Sequence, residues 1–116
     1  MLGRLFKSFQ YAARGLRYVF REEENFYLQV YAAGLVIAAG WILDITRTDW
    51  LFLIFAIVLV LGSEILNTIL EDVANELQPN HHPLVGKAKD MMAAFVLLSA
   101  MAAFLIGCFI FLPLIF

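Results

Sequence analysis

Three stretches of this chain are nearly free of charge, and each is long enough to cross a bilayer: residues 28–45, 50–70 and 91–116. A spanning helix needs roughly 20 mostly apolar residues. Hydrophobic residues make up 63% of the chain, where soluble domains average about 45–50%. A soluble fold of 116 residues could not bury that much apolar surface, so lipid is the expected solvent. The length fits one domain, residues 1–116. The spans are separated by a polar turn at 44–49 and by a break at 78–83, where Pro79 and Pro83 argue against a continuous helix.

Residues 1–22 have no run of spanning length. Leu5, Phe6, Phe9, Ala12, Ala13, Leu16 and Phe20 recur at roughly three- and four-residue steps, with Lys7, Arg14, Arg17 and Arg21 on much of the other side. That is the pattern of an amphipathic helix lying in the interface of an anionic membrane. The expected fold class is therefore all-α integral membrane: an N-terminal amphipathic interfacial helix plus three transmembrane helices. The N-terminus does not read as a secretory signal, since its basic residues continue to Arg21 with no early apolar core or small-residue cleavage site. The single cysteine, Cys108, cannot form an intramolecular disulfide. The basic stretch is too short, and lacks the signatures, for a nucleic-acid module.

Lys and Arg placement sets the expected orientation. Five basic residues precede the first span and Lys87 and Lys89 lie in the stretch before the third, whereas the 44–49 turn has only Arg47. This puts the N-terminus and the second connection in the cytoplasm and the C-terminus outside. Trp41 and Trp50 flank the outer turn as interfacial anchors.

The second span carries the strongest chemical signal. Glu64, Asn67, Glu71 and Asn75 fall at steps of 3, 4 and 4, which places them in one stripe of a helix. An acid within a spanning helix costs about 2.5–3.5 kcal/mol on insertion scales, so it should face the bundle interior and have a partner. An amide alone suffices to glue helices together. Two carboxylates a turn or two apart repel, and a cation, a shared proton or a basic partner relieves them. Glu22, Glu23, Glu24 and Asn25 precede the first span and Lys89-Asp90 precedes the third. Carboxylates, an amide and a lysine are thus expected at one cytoplasmic depth. Carboxylate oxygens suit Mg²⁺ shared with substrate phosphates. A lysine can offset charge on a phosphoryl group, and a carboxylate can take a proton from an attacking hydroxyl. Gly86-Lys87 lacks the remaining elements of a P-loop, and there is no kinase glycine-rich loop, zinc motif or nucleophile elbow. His81 and His82 read as loop residues, Asp44, Arg47 and Asp49 as solvated turn charges, and Met91, Met92 and Met101 as packing residues.

These residues together resemble the prokaryotic diacylglycerol kinase family, which includes the undecaprenol kinases. The segment Glu-x-x-Asn-(Ser/Thr)-x-x-Glu is matched by Glu64, Asn67, Thr68 and Glu71, and Ala-Lys-Asp by Ala88, Lys89 and Asp90. The Glu-x-x-Phe before the first span is matched by Glu23 and Phe26, and Lys7, Tyr11, Gly15, Leu16 and Arg17 fit the N-terminal segment. The resemblance covers nearly the whole chain. It implies a homotrimer with active sites between subunits in the bacterial cytoplasmic (inner) membrane, with ATP as phosphoryl donor and Mg²⁺ bridging its phosphates. It implies Glu64 as catalytic base toward the lipid hydroxyl, Glu23 and Glu71 as metal ligands, and Lys89, Asp90, Asn67, Asn75, Arg4 and Arg17 as nucleotide-binding residues.

One position departs from the family pattern. Asn75 stands where the family usually has Asp, keeping an acceptor oxygen and losing the charge; Asp72 lies roughly 100° round the helix and is no obvious substitute. Asn25-Phe26, His82-Pro83 and the Phe111-Leu112-Pro113 ending resemble the undecaprenol branch, so undecaprenol is favoured over diacylglycerol as the lipid alcohol. The alternatives are a catalytically impaired paralogue and a non-enzymatic small helical membrane subunit. A conduction path should continue polar residues outward, but residues 51–61 contain none.

Overall fold

The structure is a computed structural model and describes residues 1–77 and 83–116. Among these the chain folds into α1 (Leu2–Glu22), α2 (Glu24–Leu43), α3 (Arg47–Leu77) and α4 (Pro83–Ile115), with no strand. The last three are long and apolar enough to cross a membrane. The expected interfacial helix is present as α1, ending at Glu22.

The helices outrun the apolar stretches at several ends. α2 begins at Glu24 instead of residue 28, α3 continues to Leu77 instead of residue 70, and α4 begins at Pro83 instead of residue 91. Lys87, Lys89 and Asp90, expected before the third helix, are therefore within the first turns of α4. Hydropathy marks only the part of a helix that meets lipid. Glu, Lys and Ala are good helix formers, so the backbone ladder continues past that boundary, and proline is well suited to a helix's first position. Of the residues proposed as a chain break, 78–83, those from 78 to 82, with His81 and His82, lie outside the described residues, and Pro83 opens α4.

The turn between α2 and α3 is tighter than the polar run 44–49 implied. Asp44 adopts a left-handed conformation, φ 55° and ψ 55°. The Asp44 and Ile45 amides donate back to the carbonyls of Trp41 (3.4 Å) and Gly40 (3.2 Å), a Schellman-type stop. Thr46 Oγ1 then accepts from the Asp49 amide at 3.1 Å, capping the start of α3. Ile45, assigned above to the first span, instead folds back into the core with Leu53 and Ile110. Gly40 makes room: a β-carbon there would lie 3.0 Å from Ile45 Cδ1 and 3.1 Å from Trp50 Cη2. Trp41 and Trp50 meet edge-to-face at this end, with ring centroids 6.5 Å apart.

α3 is the central helix. Within its most apolar window 28% of residues are buried, against 11% in α2 and α4, and its most extensive packing is against α4. Its sequence places the polar stripe on the element with the most neighbours.

At the other end of the bundle α1 turns into α2 at Glu23, whose backbone is extended (φ −112°, ψ 107°). The Glu23 amide still donates to Val19 O, and its carbonyl accepts from the Phe26 amide. Phe20 packs edge-on against both Phe26 and Tyr27, with centroids 4.9 Å away in each case, and Phe26 is buried. This aromatic elbow holds the C-terminal part of α1 against α3, where residues from Ala12 to Glu22 face Ile65, Thr68, Ile69 and Asp72 across a groove.

Candidate active site

Glu64 lies at the bottom of the polar stripe and is only 9% exposed. Its carboxylate is not bare: Gln29 of α2 donates from Nε2 to Glu64 Oε1 at 3.0 Å. A hydrogen bond to a charged acceptor contributes about 1.5–3 kcal/mol net, enough to matter against the insertion cost of the acid. Thr68 spends its hydroxyl on the Glu64 backbone carbonyl at 2.9 Å rather than on the carboxylate. Among the described residues Gln29 is thus the one hydrogen-bond partner of this carboxylate.

The elbow brings a second carboxyl over the stripe. Glu23 is raised above the ordinary carboxylate value, first by burial and then by the negative charges of Glu71, Glu64 and Asp72. Glu22 is raised too, chiefly by a side-chain hydrogen bond with Asp72, with desolvation and the charges of Asp72 and Glu23 adding to it. The cluster is short of positive charge, and a proton or a cation would relieve it. Among the described residues no three His, Cys, Asp or Glu side chains converge closely enough to hold a metal by themselves.

One turn further along α3, Asn75 Oδ1 accepts from Lys89 Nζ of α4 at 3.4 Å. The pair is exposed. The remaining expected site residues are less engaged. Asn67 is partly buried and makes no side-chain hydrogen bond among the described residues; Asp90, Arg4 and Arg17 are exposed. Neither guanidinium is bonded to the carboxylate cluster.

Two participants were not singled out by sequence reasoning. Gln29 is the only amide or charged side chain in residues 26–43, and an isolated polar residue in a spanning helix was the signal that could have found it. Asp72, set aside as roughly 100° off the stripe, instead faces Glu22 of α1; only the fold of α1 over α3 reveals that neighbour.

Below Gln29 the three spanning helices enclose a cleft of about 220 Å³. Ala33, Val36, Ala56, Val60, Gly107 and Phe111 are among its walls, and Gln29 is its one polar lining residue. A buried acid thus sits between a negatively charged rim and an apolar slot. Such an arrangement can take a proton from a hydroxyl carried on an apolar chain.

The model of the prokaryotic diacylglycerol kinases matches residues 10–111. The chain belongs to the prokaryotic diacylglycerol kinase family. It is 36% identical over 112 residues to the undecaprenol kinase of Bacillus subtilis (strain 168), covering 97% of this chain and 91% of that protein. It is 32% identical over 105 residues to the diacylglycerol kinase of Escherichia coli (strain K12), covering 90% and 86%. It is 36% identical over 110 residues to the diacylglycerol kinase of Synechocystis, covering 94% of this chain and 63% of that protein. The family resemblance drawn from the motifs is borne out. With three apolar helices of spanning length, this member of the prokaryotic diacylglycerol kinase family is a membrane-embedded lipid kinase.

Proposed function

We propose that this kinase transfers the γ-phosphoryl group of ATP to the primary hydroxyl of undecaprenol, in preference to diacylglycerol, at the cytoplasmic face of the bacterial inner membrane. The observation that carries this reading is the position of Glu64, buried between the carboxylate cluster and the apolar cleft. There a lipid hydroxyl can reach the base from the bilayer while the phosphates approach from water.

The lipid chain lies in the cleft and presents its hydroxyl at the level of Glu64. Glu64 accepts the hydroxyl proton as the oxygen attacks the γ-phosphorus in line with the departing ADP. Lys89 offsets phosphate charge, with Asn75, Asn67 and Asp90 shaping the nucleotide side and Arg4 and Arg17 of α1 adding contacts. Glu23 and Glu71 would hold Mg²⁺. Their fit rests on the donor chemistry: hard carboxylate oxygens around Glu23, an acid destabilised by its neighbours' charge. Mg²⁺ typically takes one or two protein carboxylates and completes its shell with phosphates and water. When bound it would neutralise charge on the transferring group.

We also propose a homotrimer with sites completed between subunits. Within one chain Arg4, Arg17 and Asp90 remain exposed, as residues awaiting a neighbouring subunit's contribution would. The preference for undecaprenol is supported by the undecaprenol kinase relative, with which similarity extends over nearly the full length of both chains, and by the Asn25-Phe26 and Phe111-Leu112-Pro113 segments.

The test is phosphate transfer from radiolabelled ATP, in the presence of Mg²⁺, to undecaprenol and to diacylglycerol side by side. Labelled undecaprenyl phosphate as the main product is expected. Preferential labelling of diacylglycerol would reverse the substrate assignment, and labelling of neither would remove the kinase reading in favour of an inactive paralogue or a structural subunit.

A further inference from the structure

Gln29 is half-buried, and its carboxamide is costly where it stands. Its Nε2 is used on Glu64, but its Oε1 is buried with no hydrogen-bond partner. Buried amide oxygens are almost always paired, and an orphan calls for an explanation. An apolar side chain of the same length would strand no acceptor here, but it would leave the buried Glu64 carboxylate without its partner. The neighbouring walls of the cleft, Ala32, Ala33 and Val36, are of that apolar kind.

The chemistry of the Gln29–Glu64 pair supplies the explanation. A carboxylate has two oxygens, and its side chain turns freely unless one of them is fixed. Gln29 fixes Oε1 at 3.0 Å, leaving Oε2 as the oxygen on which a proton can be received. The donor is a neutral amide. A lysine or arginine here would hold the acid as well or better, but its charge would favour the ionised form and weaken the acid as a proton acceptor. The amide orients without neutralising. Because Gln29 also lines the apolar cleft, the same side chain sets the base relative to where the lipid hydroxyl arrives.

We infer that Gln29 is a positioning residue for the phosphoryl transfer, holding the Glu64 carboxylate in the orientation that accepts the lipid proton. The inference rests on the lipid kinase reading above and adds to it a residue on α2. In the step itself the lipid O–H bond breaks and its proton passes to Glu64 Oε2. The oxygen's electron pair forms the bond to the γ-phosphorus, and the bond from phosphorus to the bridging oxygen of ADP breaks with its electrons leaving on ADP. Gln29 takes no proton at any point; it limits the orientations Glu64 samples, and misorientation of a catalytic group lowers turnover more than binding.

The experiment compares wild-type protein with Gln29→Met, which keeps the length and removes both polar ends, and with Gln29→Asn, which keeps the amide and shortens its reach. Initial rates are measured with ATP, Mg²⁺ and undecaprenol in detergent micelles, with thermal melts of each protein alongside. Both variants should lose about 10- to 100-fold in kcat, with KM for ATP and for lipid within about twofold of wild type, and Gln29→Met should fold and melt only modestly lower, having lost one hydrogen bond to Glu64. In a Glu64→Gln background, adding Gln29→Met should change the residual rate by less than about twofold, because the residue acts through Glu64. Turnover of Gln29→Met within twofold of wild type overturns the inference, as does an equal loss in the Glu64→Gln background. A Gln29→Met protein that melts far lower or fails to fold identifies a strut and overturns it too. A wild-type protein that phosphorylates no lipid alcohol overturns the kinase reading and this inference together, whereas an active wild type with an unaffected Gln29→Met overturns this inference alone.

Discussion

Lys89 of α4 reaches across to α3 and donates to Asn75, Nζ to Oδ1, at 3.4 Å. Asn75 stands where the motif resemblance leads one to expect an acid, and in this contact the amide keeps an acceptor toward the lysine. The lysine itself remains uncompensated by charge at this contact and free to meet phosphate.

From this pairing, activity should survive with asparagine in place. Asn75→Asp should stay within about fivefold of wild-type turnover, and Asn75→Leu, which removes the acceptor while keeping the volume, should lose about tenfold or more through misplacement of Lys89. Steady-state phosphate transfer to undecaprenol checks this. Turnover that appears only in the Asp variant would mark the natural chain as an impaired relative.

Glu64→Gln should preserve the helices and nucleotide affinity while lowering kcat by about 10²–10⁴-fold, the range expected for loss of a general base. Circular dichroism and binding of a fluorescent ATP analogue supply the two controls. A near-normal rate would take Glu64 out of the proton-accepting role.

The raised carboxyls at the elbow make a pH prediction with a definite sign. Glu22 and Glu23 both stand above their ordinary value of 4.5 in the folded chain, so the fold binds protons there more readily than the unfolded chain does. Their contribution to holding α1 against α3 is fully present below 4.5 and is lost as pH rises through the raised values. Amide hydrogen exchange at residues 20–26, corrected for intrinsic rates, should accordingly show stronger protection at pH 5 than at pH 7.5. Millimolar Mg²⁺ with ATP should restore protection at the higher pH by supplying positive charge. Equal protection at both pH values would contradict the account of the elbow.

At the opposite end, Gly40 leaves the space that Ile45 and Trp50 occupy. Gly40→Leu should force the turn apart and destabilise the protein by about 1–3 kcal/mol, the usual range for overpacking a filled site. A lowered melting temperature in detergent and a red-shifted tryptophan emission would report it, with turnover at low temperature little changed because the site lies at the far end of α3.

The parts of this molecule that lipid dictates were legible from residue order. Apolar length announced three spanning helices, and the three- and four-residue recurrence from Leu5 to Phe20 announced α1. Helix ends were not legible, because Glu71, Lys87 and Lys89 are polar yet favour helix, and hydropathy cannot distinguish a helix that has left the bilayer from a loop. The stripe of Glu64, Asn67, Glu71 and Asn75 was visible because it lies on one helix. Gln29 with Glu64 and Glu22 with Asp72 were not, because each pair joins residues far apart in sequence and exists only once α1 and α2 pack on α3.

The unbroken course of α3 has one more consequence. Its 31 residues make a rod of about 46 Å, while the hydrocarbon layer is only about 30 Å thick. Glu64, Glu71 and Asn75 are therefore rigidly joined to the very segment that the bilayer grips. A thinner or thicker membrane tilts such a rod to match its apolar length, and every degree of tilt changes the depth of Glu64. With Glu64 in the proposed role, turnover is expected to vary with the acyl-chain length of the surrounding lipids.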